Sequence, residues 1–125
     1  MGANAKVVQD AYAAFGRGDI AAVLDLVSDD VEWSSPRTLP HGGEFHGKTE
    51  VGGFFKAIGA NWATLPLDIE AVGEVGGELV VGVLRANGTR DTGAKQSYGA
   101  AHAFTVRNGK ITRFREYVDL GAALS

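Results

Sequence analysis

The sequence predicts an α+β fold in which a curved antiparallel sheet wraps around three N-terminal helices, giving a cone-shaped domain with a central pocket. Three observations predict it. Apolar residues recur at helical spacing in the first half of the chain, and from Leu65 onward their period changes to two. Two-residue turns, Gly76-Gly77 and Asn108-Gly109, then separate the alternating segments.

Val7, Val8, Ala11, Tyr12 and Phe15 form the apolar stripe of the first helix, which Gly16 and Gly18 break. Asp19 is an N-cap, since its carboxylate can accept the free N–H groups of the next turn. Ile20, Val23, Leu24 and Val27 give the second helix its stripe, and Ser28-Asp29-Asp30 ends it. Val31-Glu32-Trp33 reads as a short strand. Residues 34–47 hold Pro36, Pro40, Gly42, Gly43 and Gly47 and read as a long loop. The third helix starts at Lys48 or Thr49 and carries Val51, Phe54, Phe55, Ile58 and Trp62 on one side. Four strands follow as a meander: one through Leu67, Ile69 and Ala71; one over Leu79–Leu84; one from about Gln96 to Arg107; and one from about Lys110 to Asp119. Leu79–Leu84 is apolar on both faces, which fits a central strand with core on one side and a subunit contact on the other.

A chain of 125 residues has room for a single domain, 1–125. The absence of cysteine excludes disulfides, thiolate zinc sites, thiol nucleophiles and iron–sulfur clusters. A net charge of -3 gives a nucleic-acid partner little electrostatic support. No run reaches the roughly 18 apolar residues of a membrane span, and the N-terminal segment lacks the apolar stretch of a signal peptide, so a cytoplasmic protein is expected. His41, Glu44 and His46 mimic a metal cluster, but no further ligand or regular scaffold completes it. No metal site and no cofactor are expected.

Few titratable residues fall at interior positions. His102 lies in the small, apolar strand Gly99-Ala100-Ala101-His102-Ala103-Phe104, and Glu116 on the strand beside it. Regular pairing from the turn at 108–109 sets His102 opposite Arg115 and puts His102 and Glu116 on different faces. One β-bulge reverses this. The apolar pattern favours the bulge, because Phe104, Val106 and Ile111 lie on one side of the regular ladder and Phe114 and Val118 on the other. The alternatives are a structural buried histidine and a surface ion pair of Glu116 with Arg113 or Arg115.

The order and spacing of Ala14-Phe15-Gly16-Arg17-Gly18-Asp19, Asp29-Asp30-Val31-Glu32-Trp33, Gly47, Asn108-Gly109-Lys110-Ile111 and Arg115-Glu116-Tyr117-Val118-Asp119 resemble the SnoaL-like polyketide cyclases. These belong to the nuclear transport factor 2-like superfamily, with ketosteroid isomerase, scytalone dehydratase and limonene epoxide hydrolase. The cyclases carry a histidine six residues before the hairpin turn and an aspartate fourteen residues after that histidine. Those positions are His102 and Glu116 here, the glutamate adding one methylene of reach. A glutamine of the cyclase pattern is Ala100. The isomerase's base falls on Ser35 and its tyrosine on Ala11, while of the epoxide hydrolase's polar set Glu116 alone remains.

The resemblance implies an enzyme of the cyclase, isomerase or hydratase type, acting by acid/base chemistry on a hydrophobic carbonyl compound. Glu116 would exchange a proton beside the carbonyl and His102 would hold or protonate the enolate. Such a carboxylate should be desolvated, with its pKa raised toward working pH. Trp33, Phe54, Trp62 and Tyr117 are the expected ligand walls, with Asp119 at the pocket mouth or capping the chain end. The expected partners are a small hydrophobic molecule and a second copy of the chain, with neither nucleic acid nor membrane. The alternative is a non-catalytic domain of the same fold that binds an apolar ligand or serves dimerisation.

Overall fold

A computed structural model describes residues 2–119, Asp119 by its backbone alone. Its elements are α1 (Ala3–Gly16), α2 (Ile20–Asp25), β1 (Val27–Ser35), β2 (Gly43–His46), α3 (Gly47–Asn61), β3 (Trp62–Thr64), β4 (Leu67–Val75), β5 (Leu79–Arg90), β6 (Lys95–Arg107) and β7 (Lys110–Asp119). The strands form one sheet in the order β2-β1-β7-β6-β5-β3, with β4 also paired to β5. The sheet curls around the helices, as the sequence predicts.

Its N-terminal half departs from the expected plan. β1 begins at Val27 and runs parallel to β7, so the sheet is mixed rather than wholly antiparallel. Val27 and Val31 are buried while Asp29 and Asp30 face outward, in the stretch where the β1–β7 register shifts. The polar residues that read as a helix stop thus occupy an irregular, solvent-facing part of a strand. The long loop also contains structure, since Gly43–His46 pairs with Glu32–Ser35 as β2. Residues 36–42 close on themselves through Leu39 N–H to Pro36 O (3.1 Å) and Gly42 N–H to Leu39 O (3.0 Å). A Cβ on Gly42 would overlap the Pro36 carbonyl, so this turn requires glycine.

The meander follows expectation more closely. Asn108 and Gly109 take φ of 52° and 76°, as a type I′ turn demands. Beyond it the β6–β7 register slips by one residue between Thr105 and Val106. Val106 pairs with Ile111, but Thr105 pairs with Arg113, and His102 therefore stands directly opposite Glu116. This is the bulge inferred from the apolar parity. β5 runs on past Leu84 to Arg90.

The core is built around α1, whose buried Ala5, Val8, Ala11 and Ala14 let the helix approach the sheet closely. Val31, Val51, Phe54, Val80, Phe104, Val106, Ile111 and Phe114 join it. A second cluster gathers Leu39, Trp62, Leu84, Ala86, Tyr98 and Ala100. Among the described residues no helix is long and apolar enough to cross a membrane.

Candidate active site

His102 and Glu116 meet inside the concave face, each side chain only 7% exposed. His102 Nε2 is 2.8 Å from Glu116 Oε2. Two further residues extend the pair at opposite ends. The Ser35 hydroxyl donates to Glu116 Oε1 at 2.6 Å, and the Tyr12 hydroxyl lies 2.8 Å from His102 Nδ1. With a neutral imidazole the chain has one direction. Tyr12 O–H donates to Nδ1, Nε2–H donates to the Glu116 carboxylate, and Ser35 supplies a second donor. Protonating the imidazole turns the first contact round, so that Nδ1–H donates to the Tyr12 oxygen and frees the phenolic hydrogen.

Each member is positioned by a specific local device. The one-residue bulge sets Glu116 opposite His102. Parallel pairing of β1 with β7 brings Ser35 beside Glu116, 81 residues away in sequence. Gly82, opposite His102 on β5, leaves the space that the Tyr12 ring and hydroxyl fill.

Burial pushes the Glu116 carboxyl up, but the His102 hydrogen bond and charge, the Ser35 hydroxyl and the charge of His41 outweigh it and hold it below the ordinary carboxylate range. The expectation of a raised pKa is therefore corrected. Desolvation is present, but the carboxylate has too many donors for it to prevail. Tyr12 and Tyr98 are both pushed up by burial and by the Glu116 charge, which keeps their hydroxyls protonated.

These groups line an apolar cavity of about 70 Å³, walled by Trp33, Phe54, Phe55, Phe104 and Phe114. Trp33 stacks on Phe114 (4.1 Å between centroids) and meets Phe54 at 5.6 Å, so both expected walls Trp33 and Phe54 do face it. Two others do not. Tyr117 is 55% exposed, because the register that turns Glu116 inward puts its neighbour opposite Ala101 and Val83 on the outer face. Trp62 lies outside the cavity lining and outside α3; as the first residue of β3 it packs on Tyr98 and beneath the Arg90 guanidinium (5.2 Å). Asp119 pairs with Gly99, and its side chain lies outside the described residues. Arg113, an alternative partner for Glu116, instead lies 3.8 Å from Glu32 on the surface.

Three site residues were not picked out in the sequence. Tyr12 is one position beyond Ala11, where the comparison with the isomerase put a tyrosine, and glycine in the apolar run Leu79–Leu84 was the sign of its close approach. Ser35, where the isomerase's base falls, donates its hydroxyl to the Glu116 carboxylate. His41 reads in the sequence only as part of a metal-like cluster. It is 3% exposed, lines the cavity and accepts a hydrogen bond from Trp62 Nε1 at 3.0 Å. Its partner in that mimicry, His46, is exposed and its backbone N–H binds Glu50.

The SnoaL-like domain model matches residues 8–114. The chain belongs to the SnoaL-like domain family. Among solved structures, an NTF2-like protein of unknown function from Burkholderia pseudomallei K96243 superposes with a TM-score of 0.87 at 26% identity, covering 100% of both chains. TerC, crystallised with polyporic acid, gives a TM-score of 0.86 at 26% identity over 97% of this chain and 95% of its own. Δ5-3-Ketosteroid isomerase from a Mycobacterium species has the same fold, with a TM-score of 0.79 at 22% identity over 98% and 97% of the two chains. No curated protein sequence matches.

Proposed function

We propose that this protein is a cofactor-independent enzyme of the cyclase, isomerase or hydratase type, moving a proton at an atom adjacent to the carbonyl of a small hydrophobic compound. The observation that carries the reading is the chain Tyr12–His102–Glu116–Ser35, whose first three members line a mainly apolar cavity. In the step proposed, the Glu116 carboxylate takes a proton from the carbon beside the carbonyl. The C–H electron pair moves into the C–C bond and the carbonyl pair onto oxygen, giving an enolate. The proton then returns to another carbon or to the oxygen. The lowered carboxyl keeps the base ionised near neutrality, and donors already in place spare reorganisation during the step. The Tyr12 hydroxyl, kept protonated by burial, is the nearby donor for the enolate oxygen, leaving His102 Nδ1 as it turns. The relative crystallised with polyporic acid supports an organic ligand as occupant.

The test is exchange of α-hydrogens for deuterium in a panel of hydrophobic ketones, followed by NMR. Glu116→Gln should lower the rate about 10²–10⁴-fold with the fold and ligand affinity retained. Exchange at the wild-type rate in that variant overturns the reading. Saturable binding without exchange in either protein selects the non-catalytic ligand-binding domain, which the apolar lining alone would also suit.

The proposal includes a second copy of the chain. Val75, Leu79, Val83 and Tyr117 are exposed on the outer face, Val83 and Tyr117 in one row across β5, β6 and β7 through Ala101, and Val75 paired with Leu79 four residues away along β5.

A further inference from the structure

His41 carries a feature the proton-transfer chain does not use. Its Nδ1 accepts from the Trp62 indole, and an indole nitrogen can only donate. The ring proton of a neutral His41 therefore sits on Nε2. No other hydrogen bond of this side chain is found among the described residues, and Nε2 is not one of the fully enclosed unpartnered atoms. The residue is 3% exposed and lines the cavity, so that N–H has the cavity as its outlet. His41 and His102 also pack on different rings: the first on Phe54 (5.5 Å) and Trp62, the second on Tyr12, Phe104 and Phe114. Trp33 lies between the two sets, touching both Phe54 and Phe114.

The arrangement is rigid at every joint. The turn at 36–42 that presents His41 needs glycine at 42, and Leu39 within it is buried in the Trp62 cluster. Gly88 on β5 leaves the space taken by the Trp62 ring, where any Cβ would overlap it. Arg90 covers the indole. Burial lowers the His41 pKa, the Glu116 charge raises it and Arg90 lowers it again, with a net effect that favours the neutral ring.

We propose that His41 is a ligand-binding residue whose Nε2–H donates to a carbonyl or enolate oxygen of the cavity's occupant, with Trp62 as the positioning residue that fixes its tautomer. A buried N–H in an apolar cavity has its desolvation cost relieved by an acceptor and by little else, so it selects oxygen-bearing ligands over hydrocarbons of the same shape. The binding claim stands apart from turnover; only the extension to an enolate rests on the acid/base reading above.

Cyclohexanone and methylenecyclohexane, alike in shape but differing in the acceptor, provide the experiment. In wild-type protein, ¹⁵N NMR should show His41 protonated at Nε2 and bare at Nδ1, with the Nε2–H signal moving on addition of cyclohexanone only. His41→Phe should weaken cyclohexanone about tenfold and leave methylenecyclohexane within twofold, whereas His41→Gln, which retains an N–H donor, should hold cyclohexanone within about threefold. Trp62→Phe should leave a mixture of the two tautomers. A proton on Nδ1 in the wild type, or undiminished ketone binding by His41→Phe, overturns the proposal. If His41→Phe does not fold, the wild-type tautomer and the Nε2–H response decide alone. Deuterium exchange in Glu116→Gln reads turnover and the His41 tautomer and ketone binding do not, so failure of the acid/base reading is recognised separately.

Discussion

Gly82→Ala puts the Tyr12–His102–Glu116–Ser35 hydrogen-bond chain under direct strain. The added methyl would stand 3.1 Å from Tyr12 Cζ and 3.2 Å from a neighbouring ring carbon, and would overlap the hydroxyl itself. Tyr12 extends from α1 and has two side-chain torsions, so the hydroxyl cannot move aside without tilting the ring against Phe104, 5.7 Å away edge-on. Overpacking of this kind costs about 1–3 kcal/mol, and loss of the bond to His102 Nδ1 adds about 1 kcal/mol. An unfolding entropy of about 2.1 cal/mol/K per residue gives about 0.26 kcal/mol/K for 125 residues, hence about 4 °C per kcal/mol. The Tm read by calorimetry should fall by about 8–16 °C. Tyr12→Phe deletes the overlapping oxygen, so the double variant should lose clearly less than the sum of the two single variants. A Tm within 2 °C of wild type, or strict additivity, would refute the account of Gly82 as the space for Tyr12.

Two more outcomes are expected. Acidification should weaken the fold in two stages, read by urea unfolding between pH 8 and pH 4. The His41 pKa lies below its ordinary 6.5 in the folded protein, so the unfolded chain binds more protons as pH drops past that value, and stability falls by up to about 1.4 kcal/mol per pH unit. Glu116, held below its ordinary 4.5, adds a second loss as pH falls under that value. His41→Gln should flatten the first stage, and a wild-type curve that is level from pH 6.5 to 5.5 contradicts the assignment. At the outer face, Val83 is 41% exposed and Val83→Lys should convert a dimer to a monomer in light scattering with Tm little changed; unaltered mass in the variant removes this face as the interface.

The meander was legible because its signals are local. Asn108-Gly109 sets the last hairpin, and the misfit of Phe114 and Val118 with the regular ladder marks the bulge. The pair His102 and Glu116 followed from the same parity. What sequence could not yield depends on distant segments. The β1–β7 pairing has no local signature, so Asp29 and Asp30 read as a helix stop and Ser35 as an idle loop residue. Trp62 keeps the helical spacing of α3, yet pairing with Arg90 on β5 draws it into a strand. Tyr117 alternates with Glu116, so turning the acid inward necessarily turned the tyrosine out. The Glu116 pKa departs from the sequence-based expectation for a related reason. Burial could be read from apolar neighbours, but the donors that outweigh it come from β1 and β6.

The sheet order has a bearing on how this molecule comes into being. β7, the last strand among the described residues, lies in the middle of the sheet between β1 and β6. Until it arrives, the β1–β2 hairpin and the β4–β6 ladder are two fragments with raw edges, each open to mispairing. Docking β7 joins them and in the same event delivers Glu116 to both Ser35 and His102. Assembly of the hydrogen-bonded chain is thereby tied to the docking of β7, and a sheet without that strand carries the histidine without the acid.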